Sequence, residues 1–226
     1  MIGKVACIRF KHNKDQNHQL EMRKYINLTL LVLGLLVTFS GVAQEQKKPK
    51  FSHTLDTYTD SRDGRVYKTI TFRRKHHNGY IERTWYAENV KYDVEGSLCY
   101  DDLKEYCDAF GRLYNYEQAN LACPPGWHVP TIVEWKHLFQ FFEGVHHAAK
   151  HLHQGGDSDM NMLFGGFASH GKEFQQAGAS GNWWDNELKD SNTAGIITLQ
   201  KGSEQIYHSK VGDLYFLSTR CVKFHN

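Results

Sequence analysis

No stretch of the sequence reaches the roughly 20 consecutive apolar residues that a membrane-spanning helix needs. The best candidate, Ile26 to Phe39, is too short. Also missing are a G-x-S-x-G elbow, a phosphate-binding P-loop and a dinucleotide fingerprint, so the common nucleophile and nucleotide chemistries have nothing to stand on. No C-x-x-C pair occurs, which removes the tight spacing of a cysteine-held zinc site. Internal repeats and low-complexity tracts are absent as well.

What the N-terminus does contain is an export pattern. Arg23-Lys24 precede the apolar run, and Ser40-Gly41-Val42-Ala43 set small residues three and one positions before a cleavage point. Residues 22–43 are therefore expected to be a signal peptide, with translation starting at Met22. Residues 1–21, including Cys7, are expected to be a gene-model extension. No cysteine follows Ala43, which argues against a bacterial lipid anchor. The whole chain has a formal charge of +2, but without residues 1–43 it has 21 basic against 23 acidic side chains, a net of −2. No basic face dense enough for a run of phosphates remains, so nucleic acid is not an expected partner.

The remaining chain reads as strands, then helices, then strands, which predicts an α+β domain over residues 56–226 behind a flexible lead-in, 44–55. Asp63-Gly64 marks a turn between two strands within Thr57 to Phe72, where β-branched and aromatic residues alternate. Lys68 to Lys75 interleaves cations with apolar residues, and the cations are expected on a solvated face. A second turn at His76-His77-Asn78-Gly79 leads into a strand from Tyr80 to Ala87. Two helices follow. The first carries Tyr116, Ala119 and Cys123 and stops at Pro124-Pro125-Gly126. The second opens at Thr131, whose spacing to Glu134 predicts a capping box, and sets Trp135, Leu138, Phe139 and Phe142 on one apolar stripe before Gly144. Later strands are expected at Ala194 to Leu199, Gln205 to Lys210 and Leu214 to Phe224. Beyond the signal, Cys99, Cys107, Cys123 and Cys221 are an even set, expected to form two disulfides by one of three pairings that spacing alone does not decide.

Five ordered stretches resemble the Fibrobacter succinogenes major paralogous domain. They are Asp63 to Ile70, Trp85 to Asn89, Gly111 to Tyr116, Cys123 to Thr131 with Glu134-Trp135, and Arg220 to Lys223. Gly165-Gly166-Phe167 and Trp183-Trp184 resemble it too, whereas Asp185-Asn186-Glu187 departs from the small hydroxyl residues expected after the tryptophans. The resemblance implies an exported bacterial domain without an established activity. The pattern around Ala119, Cys123, Gly126, His128 and Pro130 is also similar to the C-type-lectin-like fold, which implies two helices, short antiparallel sheets, long loops and a disulfide from the first helix to the last strand. On that basis the pairing is expected to be Cys123 with Cys221, closing a loop of about 99 residues for nearly 5 kcal/mol, and Cys99 with Cys107, closing a small loop for about 2 to 3 kcal/mol. Formylglycine-generating oxidases use a related scaffold, but their chemistry needs free thiols that this pairing would remove.

Three groups of residues could carry chemistry. In Trp183, Trp184, Asp185, Asn186 and Glu187, strand alternation puts one indole on each face, so that one could stack on a sugar while the polar groups orient it. Against this stands the plainer reading of two core tryptophans. Asp157, Asp159 and Asn161 alternate like the opening of a calcium loop, but Met162 and Ala168 occupy the positions where an EF-hand needs glycine and glutamate. On a helix, His147 and His151 would share one face at zinc-chelating spacing, without the glutamate of a catalytic H-E-x-x-H. The expectation is a secreted, periplasmic or cell-surface binding module without catalysis or a required cofactor, calcium and, at His147 and His151, zinc being the candidate ions. Its ligand is a glycan or a surface protein. The competing class is a structural or adhesion component making protein contacts.

Overall fold

The computed structural model describes residues 52–77, 79–190 and 192–224. The expected extension (1–21), signal peptide (22–43) and most of the lead-in lie outside the described residues. Everything described belongs to one compact unit, Pro49–Asn226.

The first sheet grows from a hairpin. Strand β1 (His53–Thr59) pairs antiparallel with β2 (Val66–His76), and β2 with β3 (Gly79–Tyr86). The Asp63-Gly64 turn is closed by Gly64 N–H on the Asp60 carbonyl at 2.8 Å, with Gly64 at φ +73, a region side chains disfavour. One expectation needs correcting here. β1 starts at His53, inside the stretch read as flexible lead-in, because ladder bonds to Phe72 and Ile70 order its backbone although most of its side chains face water.

Four helices follow where two were expected: α1 (Lys104–Phe110), α2 (Tyr116–Ala122), α3 (Ile132–Phe141) and α4 (Val145–Leu152). The two expected ones are α2 and α3, and α3 carries the predicted Thr131–Glu134 capping box. α1 is too short to show a period, and the polar histidines of α4 mask its buried Ala148, Ala149 and Leu152. The last segment is also corrected. Only β10 (Val222–Lys223) forms a ladder strand, while Phe216, Leu217 and Ser218 make single bridges to Ala168, Tyr114 and Trp183.

The two five-stranded sheets run β1-β2-β3-β10-β4 and β6-β5-β7-β8-β9. β4 is Trp127–His128, and the second sheet comprises β5 (Gly165–Ala168), β6 (Phe174–Ala177), β7 (Ser180–Asp190), β8 (Thr193–Gln200) and β9 (Ile206–Gly212). Its strands are antiparallel except where β5 meets β7 in parallel at Gly166 and Gly181, so the sheets are not wholly antiparallel as expected. The α3 stripe shares one buried cluster with Ile70, Phe72 and Trp85 of the first sheet and Trp183 and Ile197 of the second, with Phe142 against Phe72 and Trp135 against Trp85. Burying three such aromatic side chains contributes several kcal/mol. Two disulfides close the fold, Cys99–Cys107 and Cys123–Cys221, the second joining the C-terminal end of α2 to the residue before β10.

Candidate functional site

Strand alternation sends the two adjacent tryptophans of β7 to opposite faces. Trp183 joins the cluster of Trp85 and Trp135, and Trp184 joins that of Tyr114 and Trp127. Both indoles are fully buried, which overturns the expectation that one is free to stack on a ligand. Trp183 Nε1 donates to Asn89 Oδ1 at 2.8 Å and Trp184 Nε1 to the Tyr114 carbonyl at 2.7 Å, so burial leaves neither indole N–H unsatisfied. Asp185 is buried as well. Its carboxylate lies over Gly195 of β8, where a Cβ would collide with it, and hydrogen-bonds His208 Nε2 on β9 at 2.7 Å. Asn186 N–H donates to the Pro130 carbonyl at 2.8 Å, and Glu187 is exposed. The stretch expected to hold a ligand is instead a seam tying the second sheet to α2 and to the turn before α3.

The candidate calcium residues separate. Asp157 pairs with His151 Nδ1, which also stacks on Phe142. Asp159 pairs with His53 Nε2 at 2.9 Å, and the Asn161 carbonyl accepts from Arg220 at 3.0 Å. His147 and His151 do lie at i and i+4 on α4, but His151 is committed to Asp157. Among the described residues, no group of three or more His, Cys, Asp and Glu side chains gathers as a metal site.

A cleft of about 760 Å³ opens instead where β1 and β2, the segment after β3, the end of α1 and the 155–163 loop meet. Asp56, Lys68, Glu88, Lys91, Asp159 and Asn161 supply its polar wall, and Leu55, Ala87, Phe110 and Leu163 its apolar patches. Three carboxylates face two lysines there: Lys91 Nζ lies 3.5 Å from Glu88, and Glu88 Oε1 also accepts the Lys68 backbone N–H at 2.9 Å. Such a wall suits an uncharged polar ligand better than an ion.

The back of the cleft is fixed by two buried polar residues. Asn89 Nδ2 donates to the Phe110 carbonyl at 2.7 Å, and its Oδ1 accepts from both Trp183 Nε1 and Arg220 Nε, each at 2.8 Å. Gly111 makes this possible, because a Cβ there would strike Asn89. Arg220 is fully buried and donates to the carbonyls of Tyr86, Met160 and Asn161 at 2.9 to 3.0 Å, holding the 155–163 loop against the end of β3. Burial lowers its pKa to about 9, opposed by the Glu88 carboxylate, so it stays charged at neutral pH. Trp183 thus shapes the site from behind. Sequence reasoning passed over Asp56, Lys68, Glu88 and Lys91. Asn89 and Arg220 stood in the motifs that carry the family resemblance, but nothing in their spacing showed that they meet across the chain.

These features define an α+β domain stapled by two disulfides, with a cleft backed by a buried Asn–Arg pair. A family model, the Fibrobacter succinogenes major domain, matches residues 75–223, well over half of the chain. The chain belongs to that family. The match begins inside β2, so the resemblance quoted for Asp63 to Ile70 falls outside it. No curated protein and no solved structure matches the chain.

Proposed function

We propose that the protein is a secreted or cell-surface binding module without catalysis, and that the 760 Å³ cleft takes an uncharged polar ligand, foremost a glycan segment and otherwise a loop of a surface protein. The observation that carries this reading is the polar wall of mixed charge, with Lys91 paired to Glu88, on a hydrogen-bonded back of Asn89 and Arg220. Preorganised hydrogen-bonding groups beside apolar patches are what sugar hydroxyls and C–H faces require. All four described cysteines are in disulfides, which leaves the alternative oxidase chemistry without a thiol among the described residues and favours an oxidising compartment. No described helix is long and apolar enough to cross a membrane. The disulfide from α2 to the residue before β10, with loops gathered around the cleft, supports a C-type-lectin-like scaffold.

The test is a glycan-array screen of disulfide-bonded protein, run with calcium and with chelator, beside the double variant Asp56→Ala/Lys91→Ala. Both side chains lie on the cleft wall rather than in the core. Glycan binding that survives chelation and falls at least about tenfold in the variant supports the reading, tenfold being 1.4 kcal/mol. Binding unaffected by the variant removes the cleft as the site.

A further inference from the structure

One face of β2 runs Lys68, Ile70, Phe72, Arg74, since alternate residues share a face. Ile70 and Phe72 are core, but the strand continues past it, so Arg74 occupies the core-facing side where α3 no longer covers the hairpin. The cations of Lys68 to Lys75 are all exposed, as expected. Arg74 lies in a groove of about 630 Å³ between the hairpin end and α3, lined by Arg74, Lys75, His77, Ile81, His137 and Gln140. Among the described residues no carboxylate lines it.

The neighbouring acids are engaged elsewhere. Glu82 lies 3.6 Å from Arg73, while Glu134 is held by His128 at 2.9 Å and by Arg83 at 3.9 Å. Neither Arg74 nor Lys75 makes an ion pair among the described residues. Gln140 Oε1 accepts one bond from Arg74 Nη1 at 3.4 Å, which steadies the guanidinium and leaves most of its donors unused. Ile81 gives the groove an apolar floor, continued by Phe72 and Phe141 in a small adjoining slot.

We propose that this groove is a second binding site, distinct from the cleft, for an acidic polysaccharide segment carrying carboxylate or sulfate groups. A forked guanidinium, with a lysine lining the same groove, matches such groups, and the floor accepts the C–H face of a sugar ring. A groove admits a chain of sugars where a flat lipid surface would touch only its rims. Two unpaired cations are too few for a nucleic-acid backbone. The inference does not depend on the cleft's ligand.

The test titrates disulfide-bonded protein with oligomers of dextran sulfate and of polygalacturonate, with neutral dextran and phosphatidylglycerol vesicles as controls. Binding is expected for at least one acidic oligomer, weakening as salt rises. Arg74→Glu/Lys75→Glu should lower that affinity about tenfold or more, while Arg74→Lys/Lys75→Arg and Asp56→Ala/Lys91→Ala should leave it within about threefold. An unchanged melting temperature in the charge-reversal variant shows that the loss is not unfolding. Equal binding of neutral dextran, preference for vesicles, no binding of either acidic oligomer, or indifference to charge reversal would each overturn the proposal.

Discussion

Arg220 and Arg74 carry the same side chain, and the difference between their surroundings divides the molecule. Arg220 is fully buried, with four acceptors from Tyr86, Asn89, Met160 and Asn161, and it builds the back of the cleft. Arg74 is exposed, its side chain bonded among the described residues to Gln140, and it faces an open groove in whose described lining no carboxylate stands. Burial converts the guanidinium into a structural clamp, because each of its donors must be satisfied from within the protein. Exposure keeps the same donors available to a ligand. The cleft end of β2 thus carries both signs of charge, whereas the lining of the groove end is cationic.

The comparison breaks most sharply if the buried side is cut. Trp184→Ala should cost roughly 3 to 5 kcal/mol in denaturant unfolding, since it removes a fully buried indole and takes from the Tyr114 carbonyl one of its two donors, the other being the Leu217 N–H. A loss below 1 kcal/mol would return that tryptophan to the surface. Arg220→Met should cost about 3 kcal/mol, because the Met160 and Asn161 carbonyls and Asn89 Oδ1 lose a donor. Amide exchange should then rise in the 155–163 loop before it rises in β7 and β8.

Smaller changes sharpen the contrast. Cys99→Ser/Cys107→Ser should cost about 2 to 3 kcal/mol on the chain-entropy account of a short loop. Glu134 tests the capping box beside the groove. Burial pushes its pKa up, but hydrogen bonds with His128 and Thr131 outweigh that and hold it below the usual 4.5. A carboxyl lowered in the folded state stabilises above its unfolded value, and the benefit is lost as pH falls through the lower folded one. Glu134→Gln should therefore lower the melting temperature at neutral pH and narrow the gap from wild type as pH drops below about 4.5. At the far end, Arg74→Gln should move stability by no more than about 0.5 kcal/mol.

The parts of the fold legible in the sequence were those with a local cause. The Asp63-Gly64 turn and the Thr131–Glu134 box depend on residues a few positions apart, and the α3 stripe on a single period. The disulfide pairing came instead from a resemblance, since four cysteines carry no local signal of partner. The candidate site was less legible because it is assembled from afar: Asn89 meets Arg220 across 131 positions. Trp183-Trp184-Asp185 misled for the opposite reason. Its composition suits a sugar site, but Gly195 and His208, which bury Asp185, lie on other strands.

The most direct measurement is one binding experiment with two ligand panels, neutral and acidic oligosaccharides, against wild type, Asp56→Ala/Lys91→Ala and Arg74→Glu/Lys75→Glu. A crossed pattern is predicted, in which the first variant loses the neutral ligand alone and the second the acidic ligand alone. If one variant abolished both, or neither variant changed either, the separation of a mixed-charge cleft from a cationic groove would be contradicted.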